Sequence, residues 1–72
     1  MTDTKLLKNK IDSSGLKVGF IAQSVGISRQ QFWKKVNNLV PFNQYEIENL
    51  CNVLHITSLR DKEAIFFAKE VI

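Results

Sequence analysis

The chain has few of the residues that build metal centres or disulfides. Its 72 residues include one cysteine, Cys51, and one histidine, His55. A single cysteine cannot form an internal disulfide, and the two residues together supply too few ligands for a structural zinc site. We therefore expect no metal and no cofactor, and we interpret Cys51 as a small buried hydrophobic residue.

Long apolar runs are also missing, and the start of the chain shows no secretory pattern. No run approaches the roughly 18 residues that a membrane span requires. The apolar content of 44% is enough for one small core, so disorder is not expected. We predict a cytoplasmic protein with a single domain over residues 1–72.

Acidic residues are absent from a long interval in the middle of the chain, between Asp12 and Glu46. Because four cations fall inside it, the interval carries +4, against +3 for the whole chain. These cations are Lys17, Arg29, Lys34 and Lys35. A surface that binds phosphates needs local positive charge, so this segregation favours nucleic acid as a partner. The alternative is a solvated lysine face.

Apolar residues recur at helical spacing along the chain, and no segment alternates with a period of two. We predict an all-α domain of five helices, at about 4–12, 17–24, 28–37, 43–54 and 59–71. The expected inward-facing residues are Leu7, Ile11 (with Leu6), Ile21, Ala22, Val25, Phe32, Val36, Ile47, Leu50, Cys51 and Leu54. The expected N-terminal caps are Asp3 or Thr2, Ser28, Asn43, and Ser58 with Asp61.

The fourth helix has the clearest local signals. Asn43 and Glu46 have the spacing of a capping box, and Phe42 and Ile47 flank them as a hydrophobic staple would. His55 follows the helix at the position where a left-handed residue ends it. We therefore interpret His55 as a helix terminator rather than a catalytic group.

Residues 17–38 read as two short helices joined by a tight turn. Ala22 is small enough to let the helices approach closely, and Gly26 can adopt the left-handed conformation that the turn needs. Ser28 then caps a second helix that carries positive charge. This pattern is typical of a helix-turn-helix motif, whose second helix enters the major groove of DNA.

The run from Leu16 to Ile56 resembles the lambda-repressor-like, or XRE, family of five-helix DNA-binding domains. The matching residues are Ile21-Ala22, Val25-Gly26-Ile27-Ser28-Arg29, Phe32, Val36-Asn37 and Leu54-His55-Ile56. Within that family the chain resembles the short Cro-like and modulator proteins of temperate phages of Gram-positive bacteria more than a full repressor. The resemblance implies a transcriptional regulator of a lysis–lysogeny-type switch, acting in the bacterial cytoplasm as a homodimer on operator DNA.

The resemblance also implies roles for individual residues. The residues that match the family's base-reading positions are Arg29, Gln30, Trp33 and Lys34. The residues that match its phosphate contacts are Lys17, Ser28, Asn37 and Asn38. Arginine can bind guanine and glutamine can bind adenine with two hydrogen bonds each, whereas phosphate contacts set the register.

Two aromatic residues depart from the family pattern and support an alternative function. On the predicted helices Phe20 and Trp33 leave the core face, and exposed aromatic residues are typical anchors of protein interfaces. In this alternative the protein is an antirepressor or modulator that binds a phage repressor through the same surface and blocks or alters its DNA binding. We expect neither enzymatic activity nor a small-molecule substrate, since no nucleophile, base and orienting group form a set.

The run Ile65-Phe66-Phe67-Ala68 is apolar on more than one helix face. One interpretation is that Phe66 packs on the first helix while lysine stems partly cover Ile65 or Phe67. The other is that part of this run forms a dimer or partner surface.

Overall fold

The predicted compact all-α domain of five helices is confirmed. A computed structural model describes residues 1–69 and contains no strand among them. The helices are α1 (Thr4–Ser14), α2 (Val18–Val25), α3 (Arg29–Val36), α4 (Gln44–Val53) and α5 (Leu59–Phe66). Within residues 1–69 no helix is both long and apolar enough to cross a bilayer.

The helices surround one hydrophobic core, in which α2 packs on α3 and α4 while α1 contacts α3 and α5. The predicted inward-facing residues are buried, with the exception of Leu6, which is 40% exposed and points away from the core. Phe32 is the largest fully buried side chain. Its ring lies 5.7 Å from that of Trp33 and 6.2 Å from that of Phe42, centroid to centroid.

Cys51 lies in this core, as its sequence context predicted. Burial raises the pKa of its thiol above the ordinary value, and the positive charge of Lys62 opposes the shift to a smaller extent. A neutral thiol in an apolar environment is a packing residue rather than a nucleophile.

The predicted caps form, and the fourth helix has the complete capping box. The Asn43 side chain accepts from the Glu46 amide, while Glu46 Oε1 accepts from the Asn43 amide at 2.9 Å. Asp3, Ser28 and Ser58 cap α1, α3 and α5 through their side-chain oxygens. These bonds satisfy amides of the first helical turns, which have no partner inside the helix.

Four helices are followed by a residue with positive φ: Gly15 after α1, Gly26 after α2, Asn38 after α3 and His55 after α4. After α4, the amide of Ile56 donates to the carbonyl of Cys51 at 2.8 Å, which closes a Schellman-type turn around His55. The prediction that His55 terminates a helix is therefore confirmed.

Two helix ends differ from the sequence-based prediction by two residues or more. α1 continues through Ser13 and Ser14, whose hydroxyls donate to carbonyls one turn back, and stops at Gly15 with φ 70°. α5 was predicted to run to Val71, which lies outside the described residues, but it ends at Phe66. The Ala68 amide, which would continue the helix, donates to the carbonyl of Met1 at 3.0 Å instead.

The apolar run at the end of α5 divides between the core and the surface. Ile65 and Phe66 are buried, and the ring of Phe66 meets that of Phe42 edge-on at 5.8 Å. Phe67 remains 56% exposed, and Ala68 is half-buried. Phe66 is therefore buried, as the packing interpretation expected, with Phe42 as its aromatic neighbour, and Ile65 is buried with it, while Phe67 stays on the surface.

Candidate nucleic-acid interface

The connection between α2 and α3 consists of Gly26, Ile27 and Ser28. Gly26 has φ 92°, and its amide donates to the carbonyl of Ala22 at 2.9 Å. The Ser28 hydroxyl accepts from the amide of Gln31 at 3.1 Å, so α3 begins immediately after the turn. Only glycine adopts this φ without strain, which explains why a turn this short forms here.

The first residue of α3 is held against α2. A Cβ atom placed on Gly19 would lie 3.6 Å from Cδ of Arg29, so the aliphatic stem of Arg29 runs over this glycine. The side chain of Arg29 is nevertheless exposed. Its guanidinium is thus presented from the beginning of α3 by a stem that rests on α2.

The outward face of α3 is polar. Phe32 and Val36 point into the core, and the exposed residues of the helix are Arg29, Gln30, Gln31 and Lys34. Gln31 was not among the predicted base-reading residues, but the structure shows that it is exposed. No acidic residue occurs in α2 or α3.

Trp33 does not belong to this outward face. It is half-buried, packs against the core beside Phe32, and has the ammonium of Lys8 5.9 Å from its ring centroid. The prediction that Trp33 leaves the core face is therefore wrong. Its position beside Phe32 in the chain puts it on the flank of α3, and α1 covers that flank.

Lys35 contributes no free charge to the surface. Its Nζ donates to both carboxylate oxygens of Glu46, at 2.5 and 2.6 Å, and both side chains are largely buried. The two residues are 11 positions apart in the chain and lie in different helices. A count of charges along the sequence therefore includes Lys35 among the free cations. The cations that remain exposed on this side are Lys17, Arg29 and Lys34.

The side chain of Asn38 is hydrogen-bonded to the N-terminal segment of the protein. Its Oδ1 accepts from the amide of Thr2 at 2.9 Å, and its Nδ2 donates to the carbonyl of Thr2 at 2.7 Å. Both ends of its side-chain amide therefore hold the N-terminal segment, and the phosphate contact predicted for Asn38 stays a prediction. Asn37 is exposed and donates to the carbonyl of Trp33 at 2.9 Å.

The beginning of α2 has two features that bear on a partner. Lys17 is its N-cap but forms no side-chain capping bond, so no side chain caps the amides of the first turn. Such amides and the helix dipole attract anions. Phe20, one turn later, is 53% exposed, in agreement with the expectation that it leaves the core face.

The structure therefore brings the predicted residues Lys17, Ser28, Arg29, Gln30, Lys34 and Asn37 to exposed positions around α2 and α3. Trp33 packs against the core, and the Asn38 side chain is hydrogen-bonded to Thr2. No family model, curated protein or solved structure matches this chain.

Proposed function

We propose that this protein is a helix-turn-helix transcriptional regulator that binds operator DNA through α3, as the resemblance to the lambda-repressor-like family implies. The observation that carries the proposal is the composition of the outward face of α3, where Arg29, Gln30, Gln31 and Lys34 are exposed without an apolar residue among them. Arginine and glutamine are the side chains that bind guanine and adenine edges with paired hydrogen bonds. The half-buried position of Trp33 supports the proposal, since a large apolar group would hinder entry into the groove.

The surroundings of α3 suit the DNA backbone. Lys17 and the uncapped first turn of α2 form a cationic end that fits one phosphate, and Asn37 lies exposed just after α3. We propose a binding protein rather than an enzyme, since the one histidine serves as a helix terminator. In the setting that the resemblance implies, operator binding would control a lysis–lysogeny-type switch.

The test of this proposal separates base reading from backbone contact. Arg29→Ala or Gln30→Ala should each weaken binding to the operator by about 1–3 kcal/mol and relax the preference at one base pair. Lys17→Ala should weaken binding to operator and random duplexes alike, because a phosphate contact carries no sequence information. Fluorescence anisotropy with labelled duplexes from the protein's own promoter region measures both effects. Equal losses on specific and random DNA for all three variants would count against base reading by α3.

Phe20 supports a second candidate function, in which the α2–α3 surface binds a partner repressor and modulates it. Phe20 is an exposed phenylalanine on the helix that follows Lys17 and against which the stem of Arg29 packs. An apolar anchor with a charged rim is the composition of a protein interface. An exposed phenylalanine ring would contribute little affinity for a DNA backbone. Acidic groups of a partner would pair with the cations and thereby exclude DNA from the same surface.

The second candidate predicts a specific loss of affinity. Phe20→Ala should weaken binding to a repressor encoded beside this gene by about 2 kcal/mol, as expected for an anchor residue, and leave DNA binding unchanged. Titration calorimetry gives the affinity, and circular dichroism confirms the fold. Phe67→Ala is the matched control, because Phe67 is similarly exposed but lies at the end of α5. Equal affinities for the wild type and both variants would exclude the modulator function through this surface.

A further inference from the structure

α1 lies along one flank of α3, in the opposite direction. Near the start of α1, the Thr4 hydroxyl donates to the carbonyl of Val36 at 2.6 Å, at the end of α3. One turn further along α1, Lys8 Nζ lies 5.9 Å from the ring centroid of Trp33, in the middle of α3. α1 therefore places a lysine beside the helix that carries the proposed DNA-binding face.

Trp33 holds this lysine in place. Its ring packs against Phe32 at a centroid distance of 5.7 Å and is half-buried, so its orientation is fixed by the core. A cation over an indole ring is attracted by the ring quadrupole, and the contact leaves the ammonium hydrogens free on the side away from the ring. Lys8 itself is exposed, so its ammonium is accessible to an anion from solvent.

The two flanks of α3 differ in charge. On the side of α4, Lys35 is paired with Glu46, which cancels its charge. On the side of α1, Asp12 lies one turn beyond Lys8, but no salt bridge joins Lys8 to any residue within 1–69. The positive surface around α3 thus continues over α1 and stops at α4.

We infer that Lys8 is a further phosphate-binding residue on the α1 flank of α3, and that Trp33 is the positioning residue that orients its ammonium. This inference rests on the proposed DNA-binding function and extends its footprint to α1. A DNA backbone passing along α3 would contact Lys8 of α1 at one edge of this surface and Lys34 on the outward face of α3. Trp33 would then act in DNA binding through Lys8 and would not itself read a base.

The experiment compares two lysines of the same helix. Lys8→Met removes the charge and retains an apolar stem, Lys8→Arg retains the charge, and Lys10→Met is the matched control. Lys10 is exposed on the other side of α1, where it lines a cavity with Asp61 and Ala64 of α5. Each protein is titrated with a random-sequence duplex of roughly 20 base pairs at several salt concentrations, since phosphate contacts also govern non-specific binding.

We expect Lys8→Met to weaken duplex binding several-fold and to make the log–log salt slope less steep by about 0.9, the value for one phosphate. Lys8→Arg should restore both quantities, and Lys10→Met should leave them unchanged. The protein has one tryptophan, so the emission of Trp33 should change on adding duplex to the wild type and much less in Lys8→Met.

Two results would overturn the inference, and they are distinguishable. If the wild type binds duplex and Lys8→Met matches Lys10→Met in affinity and slope, the role of Lys8 is wrong while DNA binding stands. If the wild type binds neither random nor promoter duplexes at low salt, the proposed function fails and the inference fails with it. Thermal melting followed by circular dichroism shows whether each variant is folded.

Discussion

Replacement of Phe32 by alanine should lower the free energy of unfolding by about 3–5 kcal/mol, the usual cost of removing a large aromatic side chain from a core. Phe32 has no solvent exposure, and its ring touches the aromatic cluster formed with Trp33 and Phe42. Small domains have a total stability of only about 5–15 kcal/mol. Urea unfolding followed by circular dichroism should therefore show a large shift of the midpoint to lower urea.

The matched control for this variant is Phe20→Ala, which makes the same truncation on an exposed residue of the neighbouring helix. Its stability should stay within about 0.5 kcal/mol of the wild type, as is usual for surface substitutions. An unchanged midpoint for Phe32→Ala would mean that α3 presents a different face to the core. The exposures of Arg29, Gln30 and Lys34 would then be wrong as well, since one helical register determines all of them.

The features that were predicted correctly depend on residues close together in the chain. Ser28 reaches the Gln31 amide three residues on, and Asn43 and Glu46 bond each other over the same interval. A helix start of this kind is encoded locally, so the sequence alone indicates it. The buried face of each helix follows in the same way from spacing, which is why Phe32 and Val36 were placed correctly.

The features that were missed depend on contacts between distant parts of the chain. Asn38 bonds Thr2 across 36 positions, and Lys35 pairs with Glu46 across 11. Trp33 stands on the flank of α3, where only the position of α1 decides whether its ring is covered. A helical pattern gives the direction of a side chain but not the neighbour it meets, so the sequence alone does not reveal the contacts that these three residues make inside the domain.

The same limitation explains the end of α5. Its sequence remains helix-compatible beyond Phe66, and nothing local predicts a stop. The N-terminal segment supplies one, because the Met1 carbonyl accepts from Ala68 and the Asp3 amide donates to the carbonyl of Ile65 at 2.6 Å. The two ends of the described chain therefore fix each other, and Asn38 connects this junction to the end of α3.

Breaking the ion pair between Lys35 and Glu46 should also lower the free energy of unfolding strongly. Both side chains are largely buried, with exposures of 13% and 9%. Glu46→Gln keeps an oxygen that can accept from the Asn43 amide but removes the negative charge, so Lys35 remains as a largely buried cation without a counter-charge. Breaking a buried pair costs about 3–5 kcal/mol, and we expect a loss near the lower limit because both side chains retain some contact with water.

A double-mutant cycle isolates the pair from the capping box. Lys35→Met alone should also destabilise, because it leaves Glu46 buried without its cation, whereas Lys35→Met combined with Glu46→Gln leaves no unpaired charge. The double variant should therefore be more stable than the sum of the single losses predicts. Urea unfolding of all four proteins measures the coupling, and Glu48→Gln, on the exposed side of α4, controls for the loss of one carboxylate. Strictly additive losses of unfolding free energy would show that Lys35 does not pair with Glu46 in solution. Its positive charge would then belong to the exposed surface of α3.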